Sequence, residues 1–233
     1  IVFGDWSSDV CSSDLMNRFI TFEGGEGSGK STQIRLAAQL LRENGIPAIL
    51  TSEPSGTAIG RKIGAILFDR SHDSMCAETE VLLFFAARAQ HVREVISPAL
   101  AEDKVVLCDR FADATFAYQG SGRRLDMRML SVLNDYRAQS LKPALTLLFD
   151  LPVEAGLARA RRRDEKLENP ALADRFEREE IDFHNRVREG YLRLSREDPD
   201  RFRLIDASGD VETVRKRVSE HLLRFLNRPA QAG

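Results

Sequence analysis

Cysteine is scarce in this chain, and the three present (Cys11, Cys76 and Cys108) are too scattered for a disulfide framework or a zinc pattern. Cys108 falls within an apolar run, where it reads as a small buried hydrophobe, and the usage as a whole fits a reducing, cytoplasmic setting. A charge excess is missing too: 34 Lys and Arg stand against 36 Asp and Glu, net −2, which offers no general footprint for nucleic acid or an anionic membrane. No apolar run approaches the roughly eighteen residues that a membrane-spanning helix needs. There is no Pro/Gly/Ser-rich linker and no internal repeat, so one domain is expected. The Asn-Lys-x-Asp tetrapeptide with which GTP switches read guanine does not occur.

Residues Ile1 to Leu15 stand apart from the rest of the chain. Asp5 to Leu15 lacks useful periodicity, is too short in apolar residues for a signal peptide, and closely resembles translated sequencing-adapter sequence. The segment is expected to be a non-native extension, with Met16 as the natural start; a native disordered extension is the alternative. A single domain is then expected over residues 16–228.

From Arg18 onward, short apolar runs alternate with longer amphipathic ones. Strands are expected at Phe19–Phe22, Ala48–Thr51, Val105–Cys108, Leu145–Phe149 and Phe202–Ile205. Helices are expected at Gln33–Asn44, Ile59–Phe68, Glu78–Ala101, Met127–Tyr136, Val153–Arg163, Arg175–Arg196 and Val211–Leu226. Continuous apolar strands separated by helices predict a parallel sheet covered on both faces. Right-handed crossovers make it a three-layer, doubly wound, five-stranded α/β fold with its ligands at the carboxyl ends of the strands.

Residues 24 to 32 read Gly24-Gly25-Glu26-Gly27-Ser28-Gly29-Lys30-Ser31-Thr32, a complete phosphate-binding loop between a strand and a helix. The glycines let backbone N–H groups converge on a phosphate, and the next helix adds its positive N-terminal dipole. Lys30 is placed to reach the β- and γ-phosphates and Ser31 to ligate Mg²⁺, so the loop predicts binding of a nucleoside triphosphate. A glycine-rich turn is the plain alternative.

Three further clusters are weaker alone. Asp109-Arg110 ends an apolar strand, where the acid can hold Mg²⁺ or its waters and the arginine can fork onto a phosphate; a structural ion pair would look the same. Phe84 and Arg88 are four apart on a helix and could read a base by stacking and hydrogen bonding, though such a Phe is more often a core residue. Arg159, Arg161, Arg162 and Arg163, with Arg175 beyond a polar stretch, could form a lid around residues 159–175 that closes on the transferring phosphate, or simply a solvated face.

Taken in order, Phe22 to Thr32, Glu53-Pro54, Leu82 to Arg88, Asp109-Arg110-Phe111, Ala117-Tyr118-Gln119-Gly120, Leu148 to Pro152 and Ile205 to Ser208 resemble the bacterial thymidylate kinases, over nearly all of Met16 to Leu226. The resemblance implies a P-loop nucleoside monophosphate kinase that converts ATP and dTMP to ADP and dTDP with Mg²⁺, as a cytoplasmic homodimer without nucleic-acid or membrane partners. By position, it implies that Phe84 stacks on thymine, Arg88 bonds its edge, and Thr115 and Gln119 line the base and sugar pocket. Glu26 would receive the 3′-hydroxyl, Arg110 the acceptor phosphate, Glu53 would join the acceptor site, and Asp206-Ala207-Ser208 would border adenine. Ser31 and Asp109 would hold the metal.

Within the resemblance, one position places the chain with the bacterial type and one loop departs from the family. Some relatives carry a catalytic arginine where Gly27 stands; those with Gly there draw it from the lid, which points to Arg163 and Arg159. The family often shows Arg-Glu-Pro-Gly-Gly-Thr where this chain has Ser52-Glu53-Pro54-Ser55-Gly56-Thr57, so an arginine near the acceptor phosphate is missing unless Arg61 or Lys62 replaces it. Competing readings are a kinase of another nucleoside monophosphate and an acceptor-independent nucleotide switch.

Overall fold

The computed structural model describes residues 18–137, 141–165 and 175–227. Residues 1–15 and the middle of the expected lid, 166–174, lie outside the described residues, and so do the expectations that concern them.

Five strands, β1 (Phe19–Gly24), β2 (Ala48–Ser52), β3 (Val105–Asp109), β4 (Leu145–Asp150) and β5 (Phe202–Asp206), form one parallel sheet in the order β2-β3-β1-β4-β5. Every strand reaches past its apolar run to take in polar or glycine residues. Ladder pairing carries these: Phe22 faces Asp109, Ser52 faces Asp109, and Asp150 faces Asp206. Hydropathy stops at the last apolar residue, whereas the backbone hydrogen bonds continue to the carboxyl ends where function is expected.

The helices are α1 (Lys30–Glu43), α2 (Ala58–Phe68), α3 (Ala77–His91), α4 (Ala112–Thr115), α5 (Met127–Arg137), α6 (Val153–Asp164), α7 (Ile181–Glu197) and α8 (Val211–Leu226). On one face of the sheet, Ile34, Ala37 and Leu41 of α1 and Val214, Val218 and Leu222 of α8 bury their helical stripes against Ile20, Phe22, Leu147 and Ile205. Each of the larger of these side chains contributes about 1.5–3 kcal/mol by leaving water. The other face is covered by two clusters, one around Phe19, Ile96, Val106 and Phe111 and one around Tyr118, Leu148, Val187 and Tyr191. Cys108 is fully buried in the first. Edge strands are less covered: Leu50 and Leu204 are exposed.

Three helix boundaries differ from the periodic reading. The long helix expected at Glu78–Ala101 is α3, a π-helical turn (Val92–Ile96) and a last turn Ser97–Ala101 opened by Pro98, which has no N–H to donate. The helix expected at Arg175–Arg196 is a 3₁₀ turn (Arg175–Arg178) and then α7. Residues 112–122, read as no element, form α4 and a π-helical continuation (Phe116–Gly122). That stretch carries two glycines and is buried nearly all round, so it shows no amphipathic stripe.

Candidate active site

The phosphate-binding loop connects β1 to α1 at the centre of the sheet. Gly29 caps α1 with φ of 88°, and Gly27 has φ of 64°, both in the left-handed region. A side chain at Gly27 would also collide with α6, since a Cβ there would lie 2.0 Å from the Gly156 carbonyl oxygen. Lys30 folds back over the loop, its Nζ donating to Gly25 O at 2.7 Å and to Ser28 Oγ at 3.2 Å. Burial and the nearby Arg110 lower its pKa to about 8, against the pull of Glu26 and Asp109. Ser31 Oγ donates to Asp109 Oδ2 at 2.8 Å, joining the two residues expected at the metal. Thr32 completes the first turn through its N–H to Gly29 O at 3.1 Å.

A cleft over this loop is lined by Glu26 to Thr32, by Ser52, Glu53, Asp109 and Arg110, and by Arg159 and Arg163 of α6. Arg159 donates to the carbonyls of Ala207 at 2.9 Å and Ser208 at 3.3 Å, while Arg163 pairs with Glu177. Arg161 and Arg162 point to solvent and are not among the lining residues. Asp206, Ala207 and Ser208 do not line the cleft themselves; Arg159 ties their loop to its edge. Within that loop Asp206 Oδ1 accepts from Ser208 N at 3.0 Å and from its hydroxyl at 2.6 Å.

A second cavity is lined by all seven residues expected at the acceptor: Glu26, Glu53, Phe84, Arg88, Arg110, Thr115 and Gln119. They come from the phosphate-binding loop, the turn after β2, α3, the end of β3 and the α4 region. Arg88 is 1% exposed; its Nε donates to Glu53 Oε2 at 2.8 Å and its Nη2 to Thr115 Oγ1 at 2.8 Å and Phe111 O at 3.1 Å. Its Nη1 is buried without a partner. A buried guanidinium N–H left unpaired costs about 1–3 kcal/mol, so a ligand oxygen is the natural complement. His91 backs this arrangement, bonding Thr51 Oγ1 at 2.6 Å and lying 3.4 Å from Glu53 Oε1.

Arg110 has φ of 67°, a left-handed conformation that a non-glycine residue adopts at some cost and that often marks a working site. Its Nη2 donates to Glu26 Oε1 at 2.8 Å, which also receives the Tyr118 hydroxyl at 2.6 Å. Burial alone would raise the Glu26 pKa; Arg110, Lys30 and the Tyr118 hydrogen bond outweigh it and bring it down to about 2. Beneath, fully buried Glu23 accepts from Tyr191 OH at 2.8 Å and Phe111 N at 2.7 Å, and burial with the neighbouring Asp113 pushes its pKa up.

Glu26, Glu53 and Arg110 line both clefts, so the two sites adjoin there. Arg61 and Lys62 are exposed on α2 and line neither, leaving Ser52 without a cationic substitute among them. Sequence reasoning missed Phe68, Tyr118 and Phe176 as lining residues. Phe176 carried a findable signal, being the lone aromatic in the polar stretch 164–182; Phe68 looks like an ordinary helix residue, and Tyr118 lies in a stretch read as no element.

The sequence pattern of the family described as thymidylate kinase matches residues 22–218. A thymidylate kinase of Syntrophus aciditrophicus is 51% identical over 218 residues, covering 94% of this chain and 99% of that protein. Those of Geobacter sulfurreducens and Pseudomonas putida are 51% and 48% identical, over 91% and 90% of this chain and 100% and 98% of theirs. With this match over most of its length, and with a phosphate-binding loop and an adjoining cavity in one parallel α/β fold, this chain belongs to the thymidylate kinase family.

Proposed function

We propose that this chain transfers the γ-phosphoryl group of ATP to dTMP, giving ADP and dTDP. The observation that carries the reading is the second cavity, which meets the phosphate-binding cleft through Glu26, Glu53 and Arg110. A nucleotide switch that only hydrolyses its triphosphate has no use for a buried acceptor pocket. In this reading thymine lies against Phe84, with a carbonyl on the unpartnered Nη1 of Arg88 and with Thr115 and Gln119 alongside. Glu26 holds the sugar hydroxyl, and Arg110 turns from Glu26 to the acceptor phosphate.

An oxygen of that phosphate attacks the γ-phosphorus, and the bond to the β-phosphate oxygen breaks as ADP leaves. The loop N–H groups and Lys30 hold the donor phosphates, and Arg163, released from Glu177, offsets charge on the transferring oxygens. Arg159 braces the adenine-side loop. The hydroxyl and carboxylate of Ser31 and Asp109 suit Mg²⁺, which takes few protein ligands and completes its shell with phosphate and water. When bound, Mg²⁺ supplies charge neutralisation on the phosphate oxygens.

The working unit is one domain with a lid around residues 159–175, in a cytoplasmic homodimer. Ile59 and Ile66 of α2 and Leu82 of the adjoining α3 are exposed and apolar, the surface expected of a self-association face. No helix among the described residues is long and apolar enough to cross a membrane. A coupled assay over dTMP, dUMP, dCMP, AMP and GMP tests the reaction: ADP release should depend on an added acceptor and be fastest with dTMP. Release independent of any acceptor would favour the switch. Light scattering should give twice the chain mass, reduced to one by Leu82→Glu.

A further inference from the structure

Glu80 lies in the first turn of α3, is fully buried, and is not among the residues lining the acceptor cavity. Its carboxylate nevertheless gathers three side chains from two other parts of the chain, the π-helical turn with its cap and the 3₁₀ turn. Gln119 Nε2 donates to Oε1 at 2.9 Å, Arg175 Nη2 to Oε2 at 2.6 Å, and Arg123 to both oxygens at 3.2 and 3.0 Å. A carboxylate paired with two guanidiniums can only accept. Gln119, itself 1% exposed, must therefore present its NH₂ to Glu80. The reverse orientation would press a carbonyl oxygen against a buried carboxylate, acceptor against acceptor, and lose the Gln119 hydrogen bond.

This choice reaches the cavity. With its nitrogen held by Glu80, Gln119 offers the cavity its carbonyl oxygen, an acceptor. Thr115, one helical turn earlier, is bonded to Arg88, whose Nη1 is an unpartnered donor. The same carboxylate holds Arg175, and the next residue, Phe176, packs its ring 6.2 Å from Phe84 and 5.8 Å from Tyr118.

We infer that Glu80 is a positioning residue that sets pyrimidine choice, by fixing Gln119 as an acceptor beside the Arg88 donor. A donor and an acceptor side by side match the ring carbonyl and ring N–H of thymine or uracil. They oppose the amino group and bare ring nitrogen of cytosine, which would set donor against donor and acceptor against acceptor. The inference rests on the thymidylate reading and adds to it a residue that never touches the base.

The test is kcat/KM for dTMP, dUMP and dCMP in wild type and in Glu80→Gln, whose carboxamide can donate to Gln119 and so let it turn over. The dTMP-to-dCMP ratio should fall by about tenfold or more, the scale of one reversed hydrogen bond at a buried site, while the dTMP-to-dUMP ratio stays put. A merely structural Glu80 would lower the melting temperature and weaken all three substrates together, leaving both ratios as they were, and that result overturns the inference. Glu80→Asp keeps the charge between Arg123 and Arg175 but draws back from Gln119, and it carries the same test should Glu80→Gln not fold. A wild-type enzyme without preference for dTMP would instead overturn the thymidylate reading.

Discussion

The two clefts of this molecule are built from different materials. The phosphate-binding cleft is largely backbone, a loop that runs from the end of one strand into the first turn of one helix, with side chains added at the rim. The acceptor cavity is largely side chain, drawn from segments as far apart as Glu26 and Phe176 and held by buried ion pairs such as Arg88–Glu53. A backbone site tolerates variation around it as long as the loop can form. A side-chain site depends on several elements keeping their places together, so damage to it should show as lost selectivity as well as lost rate.

The largest effect should come from the rim of the donor cleft. Arg163→Ala is expected to lower kcat by about 10³–10⁵ with little change in KM for either substrate, the mark of a contact made in the transition state. Arg159→Ala should instead raise KM for ATP, because Arg159 holds the Ala207 and Ser208 carbonyls. Steady-state kinetics on the two variants separate these roles, and equal, small effects would remove α6 from the mechanism. Next, Lys30→Ala and Asp109→Ala should each cut kcat by about 10²–10³ in a protein that still unfolds cooperatively. Near-normal turnover in folded Lys30→Ala would break the distinction between the clefts.

Glu26 belongs to both, with its backbone in the loop and its carboxylate in the acceptor cavity. Its pKa is lowered on folding from 4.5 to about 2, so the stabilisation is complete above pH 4.5 and is lost as pH falls toward 2. The shift amounts to at most about 3 kcal/mol. Melting curves from pH 7 to 3 should fall less steeply for Glu26→Gln than for wild type; parallel curves would mean that Arg110 and Lys30 do not hold the carboxylate ionised. The smallest effect is expected from Phe84→Ala, which should weaken dTMP binding by about 1–3 kcal/mol and leave ATP binding unchanged in calorimetry. Phe84 is the cleaner probe of the base pocket, since truncating Arg88 would strand buried Glu53 at a cost of about 3–5 kcal/mol.

The contrast also explains what the sequence could say. Strand cores and the donor loop were legible because their signals are local: a run of apolar residues, or glycines and Lys30 at fixed spacing. The strand ends were less so: Asp109 reads as closing its strand, but Ser52, Asp150 and Asp206 join the sheet through ladder bonds to other strands. Of the residues proposed for the acceptor, Arg110 and the Phe84–Arg88 pair were open to suspicion from position and spacing, while Glu53, Thr115 and Gln119 became visible only through resemblance. Phe84 on its own spacing does not differ from a core residue. Glu80 and Tyr191 gave no sign at all: one is a helix-start acid and the other a helix aromatic, and their partners lie 39 and 168 residues away. Long-range partnership leaves no periodicity.

The contact between Gly27 and Gly156 bears on how such an enzyme can change over generations. A Cβ on Gly27 would meet the Gly156 carbonyl at 2.0 Å, and one on Gly156 would meet the Glu26 carbonyl at 2.4 Å. Relief of either clash must shift the phosphate-binding loop or the helix that bears Arg159 and Arg163. On the role proposed for Arg163, a lone replacement of Gly27 would disturb the loop or push α6, and that arginine with it, away from the cleft. A side chain at Gly27 can enter only with a shifted helix or a second change, so this glycine contact and the proposed lid arginine are tied to each other by geometry.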